Sequence, residues 1–426
     1  MSDRETRLAA SLTALAPTSG GDWGDVIARS DAIGNLRRRR RRIAALVIAI
    51  TMFVLGAGTT LAVGRQFFGF TDQPPKKGRS PLVVVVGRTV TGLPSGPAYL
   101  TEVPNNFLSG WSTPAAVLSP DANQIAYSAW TRKKKEPLVL RLFSTEGTDA
   151  IFAEGGYTPA WRSDGALAYA RLIRPIDLTH RRVANVFVRT TVSKDASKWS
   201  RKPAVYMVYG WAKRKLLAYS EHECEVLEIL VFDGPGKSRS LGYGDIVAID
   251  PSGEMVAISP NACDDDRPSG SLRIVRLRDG RVLAQLEASK IAAAAGKLAP
   301  HVSAYVDFSG SWRGNEIAAF VNIAAVVRGV DVFRFGVAFF HYAHGRLSLE
   351  QMMRAPKRFT MWHEPVFLNR KGTRFAAIGE LTDLTYGKTG AQLIICDRTT
   401  KVCKSGKKTK WRIAVVRNVS RPQPGW

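Results

Sequence analysis

The chain has 426 residues, with 61 Lys and Arg against 36 Asp and Glu, a formal net charge of +25. So large a positive excess favours anionic surfaces such as lipid headgroups, cell-wall polymers and acidic proteins. No nucleic-acid-binding motif accompanies the charge, so no nucleic-acid partner is expected.

Residues 1–42 form a short arm. Leu8, Leu12 and Leu15 share one face of a first helix, and Trp23 and Ile27 mark a second short piece after a Pro-Thr-Ser-Gly-Gly break. Neither piece is long enough to fold alone. The arm therefore reads as a flexible tail, with a docking peptide for a cytosolic partner at residues 1–36 as the sharper alternative. It holds neither His nor Cys.

The arm ends in Arg37, Arg38, Arg39, Arg40, Arg41 and Arg42, followed by an uncharged run over 43–63. At the helical rise that run is roughly 31 Å long, enough to cross the hydrocarbon of a bilayer. A soluble core helix of this length would show a polar stripe, and this one shows none. A cleaved signal peptide has an apolar region of about 7–15 residues behind a short basic start. The run is longer and is preceded by the whole arm, so it predicts an uncleaved single-pass anchor. The six arginines place the N-terminus in the cytoplasm and residues 64–426 outside the cell membrane. This layout of arm, span and outer domain resembles that of membrane-bound anti-sigma factors.

Residues 64–81 are rich in Gly, Pro and charge and read as a linker, semi-rigid at Pro74-Pro75. From residue 82 to 420 the chain predicts short strands separated by turns, with 421–426 as a tail. Leu82–Val86 is the first strand candidate, and Leu286–Lys297 is the best helical one.

A phrase recurs in the body: a polar turn, a large apolar residue, alanine, then another apolar residue. It reads SPDANQIAY at Ser119–Tyr127, RSDGALAY at Arg162–Tyr169, KRKLLAYS at Lys213–Ser220 and DPSGEMVAIS at Asp250–Ser259. WRGNEIAAF at Trp312–Phe320 and NRKGTRFAAIG at Asn369–Gly379 continue the series. Taking Ile125, Leu167, Leu217, Val256, Ile317 and Phe375 as equivalent, the spacings are 42, 50, 39, 61 and 58. Four strands per unit of about 40–50 residues is the pattern of propeller blades.

SPDANQIAY, PAWRSDGALAY and IDPSGEMVAIS resemble the WD40-like repeat of TolB-type β-propellers, over roughly residues 100–420. The resemblance implies an all-β fold, a six-bladed propeller of four-stranded blades. It also implies that Leu82–Val86 closes the ring in the last blade beside Trp411–Val416. In such propellers the loops between the second and third strands share one face. Arg132, Lys133, Lys134 and Lys135 fall in the first such loop, and Arg171, Arg174, Arg181 and Arg182 in the second. Glu221 and Glu223 fall in the third, with Cys224; Asp264, Asp265 and Asp266 fall in the fourth, with Cys263. A basic half thus faces an acidic half, and the acidic half offers oxygen ligands suited to Ca²⁺. A solvated loop pair tied by a disulfide is the plainer reading, and no cofactor is expected under it.

The four cysteines read as two disulfides in an oxidising compartment. Zinc is the alternative, but structural zinc sites pair cysteines two to four residues apart, and Cys396 and Cys403 stand further apart. The loop assignment makes Cys224–Cys263 one bridge, leaving Cys396–Cys403 as a cross-strand staple. There is no Gly-x-Ser-x-Gly elbow, no His-Glu-x-x-His helix and no phosphate loop. His341 and His344 read as strand or turn residues without a catalytic role.

The first functional expectation is therefore a non-enzymatic, membrane-anchored module that binds an extracytoplasmic protein or an anionic cell-envelope polymer. The others are a transmembrane regulator acting through residues 1–36, and a hydrolase built on the propeller.

Overall fold

The computed structural model describes residues 84–86, 88–91, 98–102, 116–130, 138–144, 147–173, 183–190, 195–221, 227–260, 270–296, 302–327, 330–354, 361–362, 366–369, 371–383, 388–405 and 413–415. The arm, the uncharged run at 43–63 and the linker lie outside them. Among the described residues no helix is long and apolar enough to cross a membrane.

The described chain is nearly all β. It opens with β1 (Val84–Val86), β2 (Thr89–Thr91) and β3 (Ala98–Tyr99). Next come β4 (Ala116–Leu118), β5 (Gln124–Trp130), β6 (Leu138–Ser144) and β7 (Asp149–Glu154). The third group is β8 (Gly156–Trp161), β9 (Leu167–Leu172), β10 (Ala184–Arg189) and β11 (Ser197–Lys198). Then follow β12 (Tyr206–Ala212), β13 (Lys215–Glu221), β14 (Leu227–Gly234), β15 (Lys237–Ile249), β16 (Met255–Pro260), β17 (Leu272–Arg276) and β18 (Val282–Leu286). Helix α1 (Ala288–Gly296) lies where the alanine-rich stretch predicts it. The chain ends with β19 (Val302–Arg313), β20 (Glu316–Val327), β21 (Val330–Ala343), β22 (Arg346–Arg354), β23 (Met361–Trp362), β24 (Phe367–Leu368), β25 (Arg374–Asp383), β26 (Lys388–Asp397), β27 (Cys403–Ser405) and β28 (Ile413–Val415).

Antiparallel pairing gathers these strands into seven units, which we letter A to G. Unit A is β28-β1-β2-β3, unit B is β4 to β7 and unit C is β8 to β11. Units D and E share the long strand β15, whose first half pairs with β14 and second half with β16. Unit F is β19 to β22, and unit G is built on β25, β26 and β27 with β23 and β24 at one edge. β15 changes partner, from β14 to β16, at Gly242 and Gly244, both at positive φ. A Cβ on Gly244 would collide with the carbonyl of Ser259, so only glycine fits this crossing.

The six repeat phrases each bridge the first and second strands of units B to G. Among the described residues the pairing adds a sheet to the six repeat units, because strands within residues 84–99 and 413–415 pair with one another. Val84, Val85 and Val86 pair with Val415, Ala414 and Ile413. The predicted pairing of the first strand with the 411–416 segment is thus present, but it belongs to unit A, not to the last repeat. A β-strand left at an open edge invites pairing with other chains, and this arrangement covers it.

Turn chemistry explains why the phrases fold as hairpins. Ser119 Oγ donates to Asp121 Oδ1 at 2.5 Å, and Gln124 N donates back to Ser119 Oγ at 2.9 Å. Ala166 N donates to Asp164 Oδ1 at 3.2 Å, and Arg374 N to Asn369 Oδ1 at 2.9 Å. These short polar side chains replace backbone partners at the turn. Unit D has no such residue, and there Lys213 takes the positive φ itself, at 54°. Leu216, not the expected Leu217, is the equivalent of Leu167 and Ile317: it pairs with Trp211 as they pair with Trp161 and Trp312. The recurring alanines Ala126, Ala168, Ala257, Ala318 and Ala376 are buried next to the first strand of their unit.

Candidate functional site

The first strand of each unit has one edge without a neighbouring strand, and side chains of adjacent units satisfy it. Thr158 N donates to Ser128 Oγ at 3.1 Å, and Val208 N donates to Thr158 Oγ1 at 3.0 Å, linking B, C and D in series. Trp211 Nε1 donates to the Ala160 carbonyl at 3.0 Å, and Ile246 N donates to Tyr219 OH at 2.7 Å. Leu368 N donates to Ser311 Oγ at 3.2 Å between G and F. Buried backbone groups need such partners. Between C and D the two bonds, Thr158 with Val208 and Ala160 with Trp211, set the first strands side by side and running the same way, and the propeller arrangement repeats this around the ring. All first-to-second turns therefore share one rim, the turn rim. The second-to-third connections leave from the opposite one, the loop rim.

The loop rim is where the predicted basic and acidic residues belong. Arg171 sits exposed at the end of β9, with Asn185 of β10 as its cross-strand partner. Glu221 ends β13, half-buried, and its amide donates to the Val205 carbonyl at 3.0 Å. A cation of unit C and a carboxylate of unit D thus stand on the same rim of neighbouring units. Arg132, Lys133, Lys134, Lys135, Arg174, Arg181, Arg182, Glu223, Asp264, Asp265 and Asp266 lie outside the described residues, as do Cys224 and Cys263. Among the described residues no three His, Cys, Asp or Glu side chains are placed to hold a metal.

Three buried polar residues accompany Glu221 at this end: Ser220, Asp245 and Ser259. Asp245 and Ser259 are direct cross-strand partners in unit E. Nearby, burial pushes the Tyr169 hydroxyl upward in pKa, against the pull of Arg171 and Arg189. A shallow groove of about 140 Å³ lies on the outer flank of D and E, lined by Leu241, Tyr243, Ile258, Pro260, Val275 and Val282 among others. Ligand pockets run to about 300–1,000 Å³, so this groove is too small for one. His341 pairs with Glu350 at 3.4 Å, and His344 stands in the hairpin turn after β21.

Two seams carry charge networks that the repeat pattern does not reveal. Between A and B, the Asp149 carboxylate accepts from Arg141 Nε at 2.9 Å, Tyr127 OH at 2.7 Å and Thr101 N at 2.7 Å. Between F and G, Arg398 reaches Glu316, the Gly372 carbonyl and the face of Phe339. The hairpin that carries Arg398 is closed by the Cys396–Cys403 disulfide, as expected for a cross-strand staple.

No family model matches the chain, and no curated protein does. Solved structures that resemble it are propellers. The β-propeller domain of the trilobed protease from Pyrococcus furiosus is 13% identical, with 69% of this chain and 83% of that one covered and a TM-score of 0.43. That propeller is described as having an open velcro topology. Acylaminoacyl peptidase from Pyrococcus horikoshii is 13% identical at a TM-score of 0.41, with 72% of this chain and 46% of that one covered. Hydrazine synthase from Kuenenia stuttgartiensis is 15% identical at a TM-score of 0.41, with 68% of this chain and 77% of that one covered. Enzymes stand among these neighbours, which overturns the expectation of a non-enzymatic binding module for a protein or envelope polymer. What the neighbours and this chain have in common is the propeller fold.

Proposed function

We propose that the chain is a transmembrane regulator: a tethered propeller that acts on a cytosolic partner through residues 1–36. Support comes from the arm and the uncharged run at 43–63, and from TolB-like phrases in six of the seven units. One geometric observation carries the reading. The segment next to the anchor does not hang from the ring as a free tail; Val84–Val86 is the second strand of the closing sheet. Any event that loosens unit A therefore reaches the chain leading to the anchor without passing through another unit. The test compares transcript profiles of cells lacking residues 1–36, lacking the ring, or lacking the whole chain. Loss of the arm alone is expected to reproduce loss of the whole chain. An unchanged profile after arm deletion overturns the reading.

A second reading is a hydrolase with its site on the loop rim. The observation that favours it is the buried cross-strand pairing of Asp245 with Ser259. A buried carboxylate near hydroxyls is the raw material of acid–base chemistry. The full chain would be screened against esters, lactones and peptides, with Asp245→Asn and Ser259→Ala as controls. Turnover that both substitutions abolish supports this reading, and turnover indifferent to them removes it.

A further inference from the structure

We propose that the turn rim of the ring lies against an anionic bilayer surface, with the turns of units D and E as the contact. The proposal rests on the tether of the regulator reading.

The tether joins the ring at the turn rim. In units B to G the second strand begins at the turn rim. In unit A the second strand is β1, so Val84 lies at that rim and the chain before it arrives there. Unit A has the same orientation as its neighbours. Just past its outer strand, Thr101 N reaches Asp149, which follows the third-to-fourth turn of unit B. Just past the outer strand of unit C, the Trp199 carbonyl accepts from Gly236 N in the corresponding turn of unit D, at 2.9 Å. Residues 64–83 span at most roughly 70 Å when fully extended. That reach would bring either rim to the bilayer, so the choice of the turn rim rests on where the chain joins it and on its charge.

Charge on that rim is concentrated away from the tether. The segments 201–202, 213–215, 233–239, 250–254 and 276–281 carry ten Lys and Arg against four Asp and Glu. All of them belong to the turns of D and E or to the stretch that enters D. The corresponding segments of unit B, 119–123 and 144–149, hold three acids and no cation. Lys213, Arg214, Lys237, Arg278 and Arg281 are exposed. Lys213 meets Glu254 at 3.0 Å and Arg278 meets Asp279 at 3.8 Å, both at the surface. Arg214, Lys237 and Arg281 have no carboxylate partner among the described residues. Units D and E stand across the ring from unit A, and unit G adds three exposed lysines. One contact at the tether and one on the far side level the rim against a planar anionic surface. Clusters of cations beside a span are attracted to anionic headgroups over about a Debye length, roughly 10 Å at 0.1 M salt.

The experiment uses the full chain in lipid nanodiscs of phosphatidylcholine alone or with one third phosphatidylglycerol. Trypsin cutting after Arg214 and Arg278 is followed by mass spectrometry at low and high salt. We expect cutting at least ten-fold slower in the anionic discs at low salt. High salt, or Lys237→Glu with Arg281→Glu, is expected to erase the difference. Equal rates in both discs overturn the docking while leaving the tether intact. A chain that does not enter the discs at all overturns both. Protection by added polyglutamate but not by phosphatidylglycerol assigns the surface to an acidic protein and overturns the lipid proposal.

Discussion

Arg398 Nη1 lies 2.9 Å from each carboxylate oxygen of Glu316, across the seam between units F and G. The same nitrogen donates to the Gly372 carbonyl at 2.7 Å, and the guanidinium covers the Phe339 ring at 4.0 Å. A Cβ on Gly372 would collide with the Glu316 carboxylate, so the glycine makes room for the pair. Arg398→Ala leaves Glu316 and a carbonyl without their donor. It is expected to cost about 2–3 kcal/mol, the scale of hydrogen bonds to charged groups in a partly buried site. Arg398→Lys keeps the charge but not the fork, and should fall between the two. The urea midpoint at constant m value measures both.

Reducing Cys396–Cys403 frees the hairpin that presents Arg398. The short loop predicts a loss of about 2 kcal/mol. Because both changes release the same contact, reduction and Arg398→Ala should be less than additive in a double-mutant cycle. Full additivity would show that the disulfide and the clamp act independently.

The Asp149 network sets an acid limit. Burial alone would raise this carboxyl, but hydrogen bonds from Thr101, Tyr127 and Arg141 together hold it below its ordinary value. A depressed folded pKa contributes stability that is complete above the unfolded value, about 3.9, and is lost as pH falls through the folded one. Stability is therefore expected to drop below about pH 4. Asp149→Asn should flatten that drop and lower stability at neutral pH. Unfolding midpoints from pH 2 to 7 test the slope.

Thr158 combines a positive φ of 47° with two inter-unit hydrogen bonds. Thr158→Val removes the acceptor for Val208 N and leaves a buried amide unsatisfied, at about 1–3 kcal/mol. Thr158→Ser keeps the oxygen and sheds a branch at a strained position, and is expected near the parent stability. Amide exchange at Val208 should accelerate in the first variant and not in the second.

Removing residues 413–426 takes β28 away from β1. The variant is expected to expose the edge of Val84–Val86 and to associate through it, seen as larger species by light scattering. A monomeric, protease-resistant product would show that closure by β28 is dispensable.

The strands of units B to G were legible because turn, apolar residue and alanine recur together, and each element is local in sequence. In unit A the pairing of the first strand with the 411–416 segment followed from the resemblance, but β2 and β3 did not, since they have three residues or fewer. The Leu217 assignment is one residue off because it follows the alanine of the phrase, whereas the short Lys213-Arg214 turn sets Leu216 opposite Trp211. Of the predicted rim residues, Arg171 and Glu221 are placed at the loop rim and the others lie outside the described residues. Asp149 and Arg398 gave no signal, since each acts through partners in another unit or a distant strand.

The arrangement of unit A also bears on how the protein is made. Its first three strands leave the ribosome well before their fourth member, which lies more than 320 residues beyond β1 along the chain. At about 5–20 residues per second, the valine edge waits on the order of 15–65 s before its partner exists. Every other unit can fold as it emerges, so the interval of greatest hazard for this chain is set by the length of polypeptide between β1 and β28.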